Sequence, residues 1–205
     1  MNLAIFGATG GTGRHLLDQA LAAGHHVTAL VRTPAALPVT HERLRVLQGD
    51  VRDRDQAAAA IAGQDAVVSA LGPHERGPVS LCTDAIANIL AAMADHGVRR
   101  LIALSAYGAA DSHDGNPYNR LLWLMQGEKM RDKERMEALI RRSGVDWTIL
   151  RPPALSNGPR TGRYRLGTGL RMRVTSKISR ADLADGLLQQ IGDATYVRQT
   201  PAITA

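Results

Sequence analysis

Apolar positions along this chain follow two alternating rhythms. Short segments rich in apolar residues occur at 2–6 (NLAIF), 26–31 (HVTALV), 44–48 (LRVLQ), 65–70 (DAVVSA), 101–104 within RLIAL, and 146–151 (DWTILR). Such runs are too short for helices. The near-continuous hydrophobicity of RLIAL suits a parallel strand covered on both faces. Between them the spacing turns helical. Leu16, Leu17, Ala20 and Leu21 mark a helix over 13–23 that Gly24 ends, and an Ala-rich helix over 53–62 stops at Gly63. Cys82, Ile86, Ile89 and Met93 share one face of a helix over 79–96, and another runs from Glu128 to Arg142. A last helix spans 178–191, with Ser179 and Asp182 as its capping pair. From Tyr107 to Gly127 the pattern breaks: GAADSHDGNP reads as a loop, and NRLLWLM is apolar without an assignable period. Six strands alternating with helices predict an α/β, doubly wound parallel sheet.

The 205 residues suit a single domain. A chain of that size buries roughly 70% of its unfolded surface, so it folds without disulfides or metal. Cys82 is the only cysteine, which excludes a disulfide framework and a cysteine zinc cluster. His25 and His26 are adjacent and cannot share a helix face, so no metal is expected. MNLAIFGATGG has no basic region or long apolar run, and no stretch approaches the ~20 residues of a membrane span. The expected setting is the cytoplasm, without membrane contact. A net charge of +6 raises nucleic acid as a partner, but the chain's few aromatics are not interleaved with arginine, and nucleic acid is not expected. The charge is uneven. Between Arg151 and Ala181 stand eight cations (Arg151, Arg160, Arg163, Arg165, Arg171, Arg173, Lys177 and Arg180) and no acid. Two readings stand: a solvated face, or a field for an anionic ligand.

Gly7, Gly10 and Gly13 in GATGGTG close the first strand and open the first helix. Glycine there serves a tight turn, close backbone approach to a pyrophosphate, and close helix–strand packing. The helix N-terminus then offers unpaired N–H groups to the phosphates. An NAD site wants an acid about 20 residues on, whereas an NADP site wants an arginine. Asp18, inside the first helix, is the only acid between Gly13 and His41, and Arg32 ends the second strand. NADP(H) is therefore the expected cofactor. Asp50 and Val51 follow the third strand, where a side chain can meet the adenine edge; Asp50 equally suits capping the next helix. Ala70, Leu71 and Gly72 end the fourth strand, where small residues admit a cofactor.

Ser105 ends the fifth strand, which in an open α/β sheet is the ligand crevice. Lys133 shares a stripe with Met136 and Ile140, the expected inward face, while Arg131, Asp132, Glu134 and Arg135 are expected to point elsewhere. A buried lysine needs a partner. The hydroxyls of a nicotinamide ribose would serve, as would snorkelling, Asp132 or Glu137. No G-x-S-x-G elbow surrounds Ser105, so a hydrolase triad is not expected.

NLAIFGATGGTG, VTALVR, LQGDVRD, AGQDAVVSALG, SGVDWTILRPP and ISRADLA together resemble the atypical short-chain dehydrogenases/reductases, in the NAD(P)H-binding group containing biliverdin reductase B (flavin reductase) and NmrA-like proteins. The resemblance covers nearly the whole chain. It implies a Rossmann-like single domain, with 152–178 as a small substrate lobe over the nicotinamide end. By motif matching it assigns cofactor contacts to Gly7, Ala8, Thr9, Gly10, Gly11, Thr12 and Gly13, and to Arg32, Asp50, Val51, Leu71 and Gly72. The family's usual tyrosine four residues before the lysine is here Lys129, and Tyr107 stands as a substitute or a loop cover. A histidine found in biliverdin-reductase-like members is Ala154, and a second arginine beyond Arg32 is Ala36. The expected activity is NADPH-dependent hydride transfer to a flat conjugated acceptor: a flavin, a quinone or a related carbonyl. Ser105, Tyr107 and Lys133 are the expected catalytic group. Alternatives are an NmrA-like NADP(H) sensor without turnover, and an isomerase or epimerase that keeps its cofactor.

Overall fold

A computed structural model describes residues 1–73 and 79–205. Its centre is a six-stranded parallel sheet of β1 (Asn2–Phe6), β2 (His26–Val31), β3 (Leu44–Gln48), β4 (Ala66–Ser69), β5 (Arg100–Leu104) and β6 (Asp146–Leu150), in the order β3-β2-β1-β4-β5-β6. The order reverses between β1 and β4, and ligands of such sheets bind at the strand carboxyl ends there. Apart from the edge strand β3, none of whose residues is buried, the strands are largely apolar on both faces because both are covered. Leu3 and Ile5 of β1 face one layer with α1 (Gly11–Ala22) and α5 (Arg180–Gln189). Ala4 and Phe6 face the other, packed with α2 (Arg54–Ile61), α3 (Leu81–Asp95) and α4 (Pro117–Arg142). Among the described residues, no helix is long and apolar enough to cross a membrane.

Helix α4 departs from expectation. It starts at Pro117, so NRLLWLM is helical, and it kinks at Gln126, whose φ of −139° and ψ of 26° leave the helical region. Asn116 caps it, accepting from the Asn119 N–H at 2.9 Å, and Pro117 supplies a preset first turn. The outer half escaped the periodicity because Leu121, Leu124 and Met125 are exposed rather than turned to a core.

After β6 the chain forms four three-residue strands that carried no sequence signal: β7 (Ala154–Ser156), β8 (Arg165–Gly167), β9 (Lys177–Ser179) and β10 (Ala202–Thr204). Strand β7 pairs with β9, and β8 pairs with β10. The last helix thus begins at Arg180 rather than 178. Ser179 caps it, its Oγ accepting from the Asp182 N–H at 2.9 Å.

Candidate functional site

The glycine turn has little room to vary. Gly7 has φ +86°, and a Cβ there would lie 2.8 Å from the Ala70 carbonyl oxygen. A Cβ on Gly13 would lie 1.9 Å from the Gly7 carbonyl oxygen, so α1 can approach β1 this closely only with glycine. The first turn of α1 holds no acid and no side-chain cap. Its N–H groups therefore remain open to an anion.

A crevice beside this turn is lined by Gly7, Thr9, Gly10, Arg32, Asp50, Val51, Ala70, Leu71 and Gly72. Ala8 and Thr12 lie buried behind it, and Gly11 is exposed at its edge. The Arg32 side chain makes no hydrogen bond or ion pair among the described residues, and is exposed. Asp50 does not cap α2; Asp53 does, accepting from the Gln56 N–H at 3.0 Å. Asp50 instead pairs with Arg52 at 2.6 Å. That hydrogen-bonded guanidinium, helped by the charge of Arg32, holds the Asp50 carboxyl below its usual range.

The crevice continues past Gly72 into a second cavity of about 520 Å³. Its walls are Ser105, Ala106, Lys133 and Met130 below, Tyr118, Leu121, Leu122 and Met125 on outer α4, and Pro152, Pro153, Ala154, Leu155, Val174 and Arg180 opposite. Lys129 and Gln126 also line it, and among the described residues no carboxylate does.

Helix α4 is set in place by Asp132. This residue was expected to point outward but is fully buried, accepting from the N–H groups of Cys82 at 2.9 Å and Thr83 at 3.0 Å. A carboxylate from α4 thus caps α3, where Ser80 makes no side-chain cap. The neighbouring lysine is fixed by the same contact. Lys133 is 7% exposed and donates to the Leu71 carbonyl at 2.8 Å and the Leu104 carbonyl at 2.6 Å. Its partners are strand-end carbonyls, neither Asp132 nor Glu137. An ammonium carries three donors, and the third is shared between the buried Cys82 sulfur and the cavity.

Ser105 is buried, and its Oγ donates to Glu137 Oε1 at 2.6 Å. Glu137 is itself held by Arg151, at 3.0 Å from Nε and 2.5 Å from a terminal nitrogen. With its proton committed to a carboxylate, the Ser105 hydroxyl turns lone pairs to the cavity. Ser105 therefore accepts hydrogen bonds there. Arg151 also meets Asp111 at 2.7 Å; burial disfavours its charge, but Glu137 and Asp111 together hold its pKa above the usual arginine value.

Tyr107 is not brought to this cavity. Its ring packs with Met172 and Ala202, and it lines a separate hollow with Asp111 and Arg151. The phenol at the cavity is Tyr118, stacked edge-on against Tyr107 with centroids 5.9 Å apart. Burial, then the nearby Tyr107, pushes the Tyr118 hydroxyl up, so it keeps its proton as a donor. Sequence reading missed Tyr118 because the helix carrying it was unread. Nor is the basic run uniform. Arg151 is buried against Glu137, Arg160 pairs with Asp185 at 2.6 Å, and five cations (Arg163, Arg165, Arg171, Arg173 and Lys177) remain exposed.

Comparison with known proteins agrees with this geometry. An uncharacterised chloroplastic protein of Arabidopsis thaliana is 30% identical over 170 residues, covering 77% of this chain; the match spans 60% of that protein's length. The uncharacterised protein YwnB of Bacillus subtilis is 29% identical over 208 residues, covering 93% of this chain and 92% of its own. The fold superimposes on ChuY, an anaerobillin reductase from Escherichia coli O157:H7, with a TM-score of 0.85 at 23% identity, over 99% of this chain and 96% of that one. The sequence model of the NAD(P)H-binding family matches residues 7–194, and the chain belongs to that family.

Proposed function

We propose that the protein is an NADPH-dependent reductase that delivers hydride to a flat conjugated acceptor, such as a flavin, a quinone or a related carbonyl. The observation that carries this reading is the continuity of the crevice. It runs from an exposed guanidinium without an ion pair among the described residues, past an open helix N-terminus, into a largely apolar cavity floored by Ser105 and Lys133. The turn suits a dinucleotide: glycine at positions 7 and 13 lets β1, α1 and the end of β4 close together, since a Cβ there would strike the Ala70 or Gly7 carbonyl oxygen, and this brings the α1 N-terminus to the crevice.

In this reading Arg32 would meet the 2′-phosphate, and the α1 N-terminus the pyrophosphate. Lys133 would offer its remaining proton to the nicotinamide ribose. When bound, the nicotinamide supplies the hydride, and the protein supplies orientation and exclusion of water. Ser105 would accept from an N–H or O–H of the cofactor or acceptor. Tyr118 and Lys129 would donate to acceptor oxygens. The small lobe over 152–178 would close the acceptor side through Pro152, Pro153, Leu155 and Val174. A flavin-type acceptor takes its proton from solvent, which accounts for lysine at position 129 where the family's tyrosine stands.

The test is NADPH absorbance over time with flavin and quinone acceptors. Acceptor-dependent oxidation supports the reductase. Tight NADPH binding with no turnover on any acceptor overturns it in favour of a sensor.

A further inference from the structure

We infer that Arg180, the first residue of α5, is a dinucleotide ligand that reaches from the small lobe across the glycine loop to the pyrophosphate. The inference rests on the cofactor reading, though not on turnover. Its first support is position. The Arg180 side chain lies directly over Gly11: a Cβ there would fall 2.7 Å from Arg180 Cδ and 2.8 Å from Nε. The same side chain lines the second cavity. It therefore stands between the second cavity and the glycine turn where the α1 N–H groups stand open.

Charge is the second support. Arg151 and Arg160, neighbours in the same basic run, are neutralised by Glu137 and Asp185. Arg180 makes no ion pair among the described residues. Its guanidinium is held at 2.6 Å by the neutral Oδ1 of Asn157, which orients the charge without cancelling it. A planar guanidinium so placed, next to a helix N-terminus without an acid, is matched by a phosphate.

Preorganisation is the third. The base of the side chain is fixed by the Ser179 cap and by Gln19, whose Nε2 donates to the Ala181 carbonyl at 2.9 Å. Gln19 belongs to α1, so the arginine and the loop it covers share one support. Little ordering is left to do on binding.

The experiment compares NADP⁺, NAD⁺ and ADP-ribose, which share a pyrophosphate, with 2′-AMP, which lacks one. Titrations use the full chain and its Arg180→Ala, Arg180→Gln and Arg32→Ala variants. Arg180→Gln keeps part of the stem over Gly11 while removing the charge. Both Arg180 variants should weaken all three pyrophosphate ligands by about tenfold or more, the scale of a charge-assisted bond, and leave 2′-AMP unchanged. Arg32→Ala should show the other pattern, weakening NADP⁺ and 2′-AMP only. Unchanged ADP-ribose affinity in Arg180→Gln would overturn the inference while leaving the cofactor reading intact. A wild-type chain that binds none of the four would overturn both.

Discussion

Ser105 Oγ donates to Glu137 Oε1 at 2.6 Å beneath the floor of the cavity, so the carboxylate decides which way the hydroxyl faces. Ser105→Ala should lower turnover and cost at most about 1–3 kcal/mol of stability, because Glu137 keeps Arg151. Glu137→Leu should cost more, about 3–5 kcal/mol, since it leaves the buried Arg151 guanidinium with only the exposed carboxylate of Asp111. Denaturant titration orders the two. A Glu137→Leu chain as stable as Ser105→Ala would show that the ion pair does not hold the site.

Cofactor preference should follow Arg32. The wild-type chain is expected to bind NADPH about ten- to a hundredfold more tightly than NADH, the range of a charge-assisted contact. Arg32→Ala should erase most of that ratio. Equal wild-type affinities would remove the assignment of the adenosine end.

Lys133 joins chemistry to stability. Lys133→Met leaves the carbonyls of Leu71 and Leu104 without their donor. We expect weaker NADPH binding together with a loss of about 1–3 kcal/mol for orphaned acceptors, read by chemical denaturation. A variant of unchanged stability would mean that water replaces the ammonium.

The acceptor's charge should be read at Lys129. Lys129→Ala is expected to raise KM for a phosphorylated flavin more than for its unphosphorylated parent, at constant NADPH affinity. Added salt should narrow the same gap in the wild type. No difference between the two acceptors at low salt would leave the positive lining without a role in selection.

Acid should loosen the small lobe through Asp182. Burial would raise this carboxyl, but the N–H groups of Gly162 and Thr161, at 2.9 and 2.7 Å, and two hydroxyls bring it below its ordinary 3.8. A folded-state value below the unfolded one means that the stabilisation is complete above about pH 4 and is lost as pH falls through the folded value. Asp182→Asn should flatten that acid limb in thermal melts. An unchanged limb would assign it to other carboxylates.

Where a signal was local, the sequence carried it. Five of the six sheet strands announce themselves by burial on both faces, the edge strand β3 by its apolar positions alone, and the glycine turn by steric demands that no other residue meets. Residues 70–72 and Arg32 could be placed because strand ends define the crevice of such a sheet. Glu137 and Asp132 were not readable as site supports. Their importance comes from partners 14 to 50 residues away, and helix periodicity does not encode a partner. Tyr107 was expected beside Ser105 but lines a separate hollow, because proximity along the chain says nothing about which side of the strand end a ring takes. The three-residue strands of the lobe are too short to show alternation.

The break at Gln126 divides labour along one helix. Inward of it lie Asp132, Lys133 and Glu137, each tied to another element, and a substitution there would disturb the cofactor end. Outward of it, Leu121, Leu124 and Met125 are 48%, 85% and 70% exposed, so their replacement perturbs little besides the mouth of the cavity. Inherited variation can therefore accumulate in the outer half at small cost to folding. A lineage that needed a differently shaped cavity mouth would find its raw material there, with the buried inner half kept as it is.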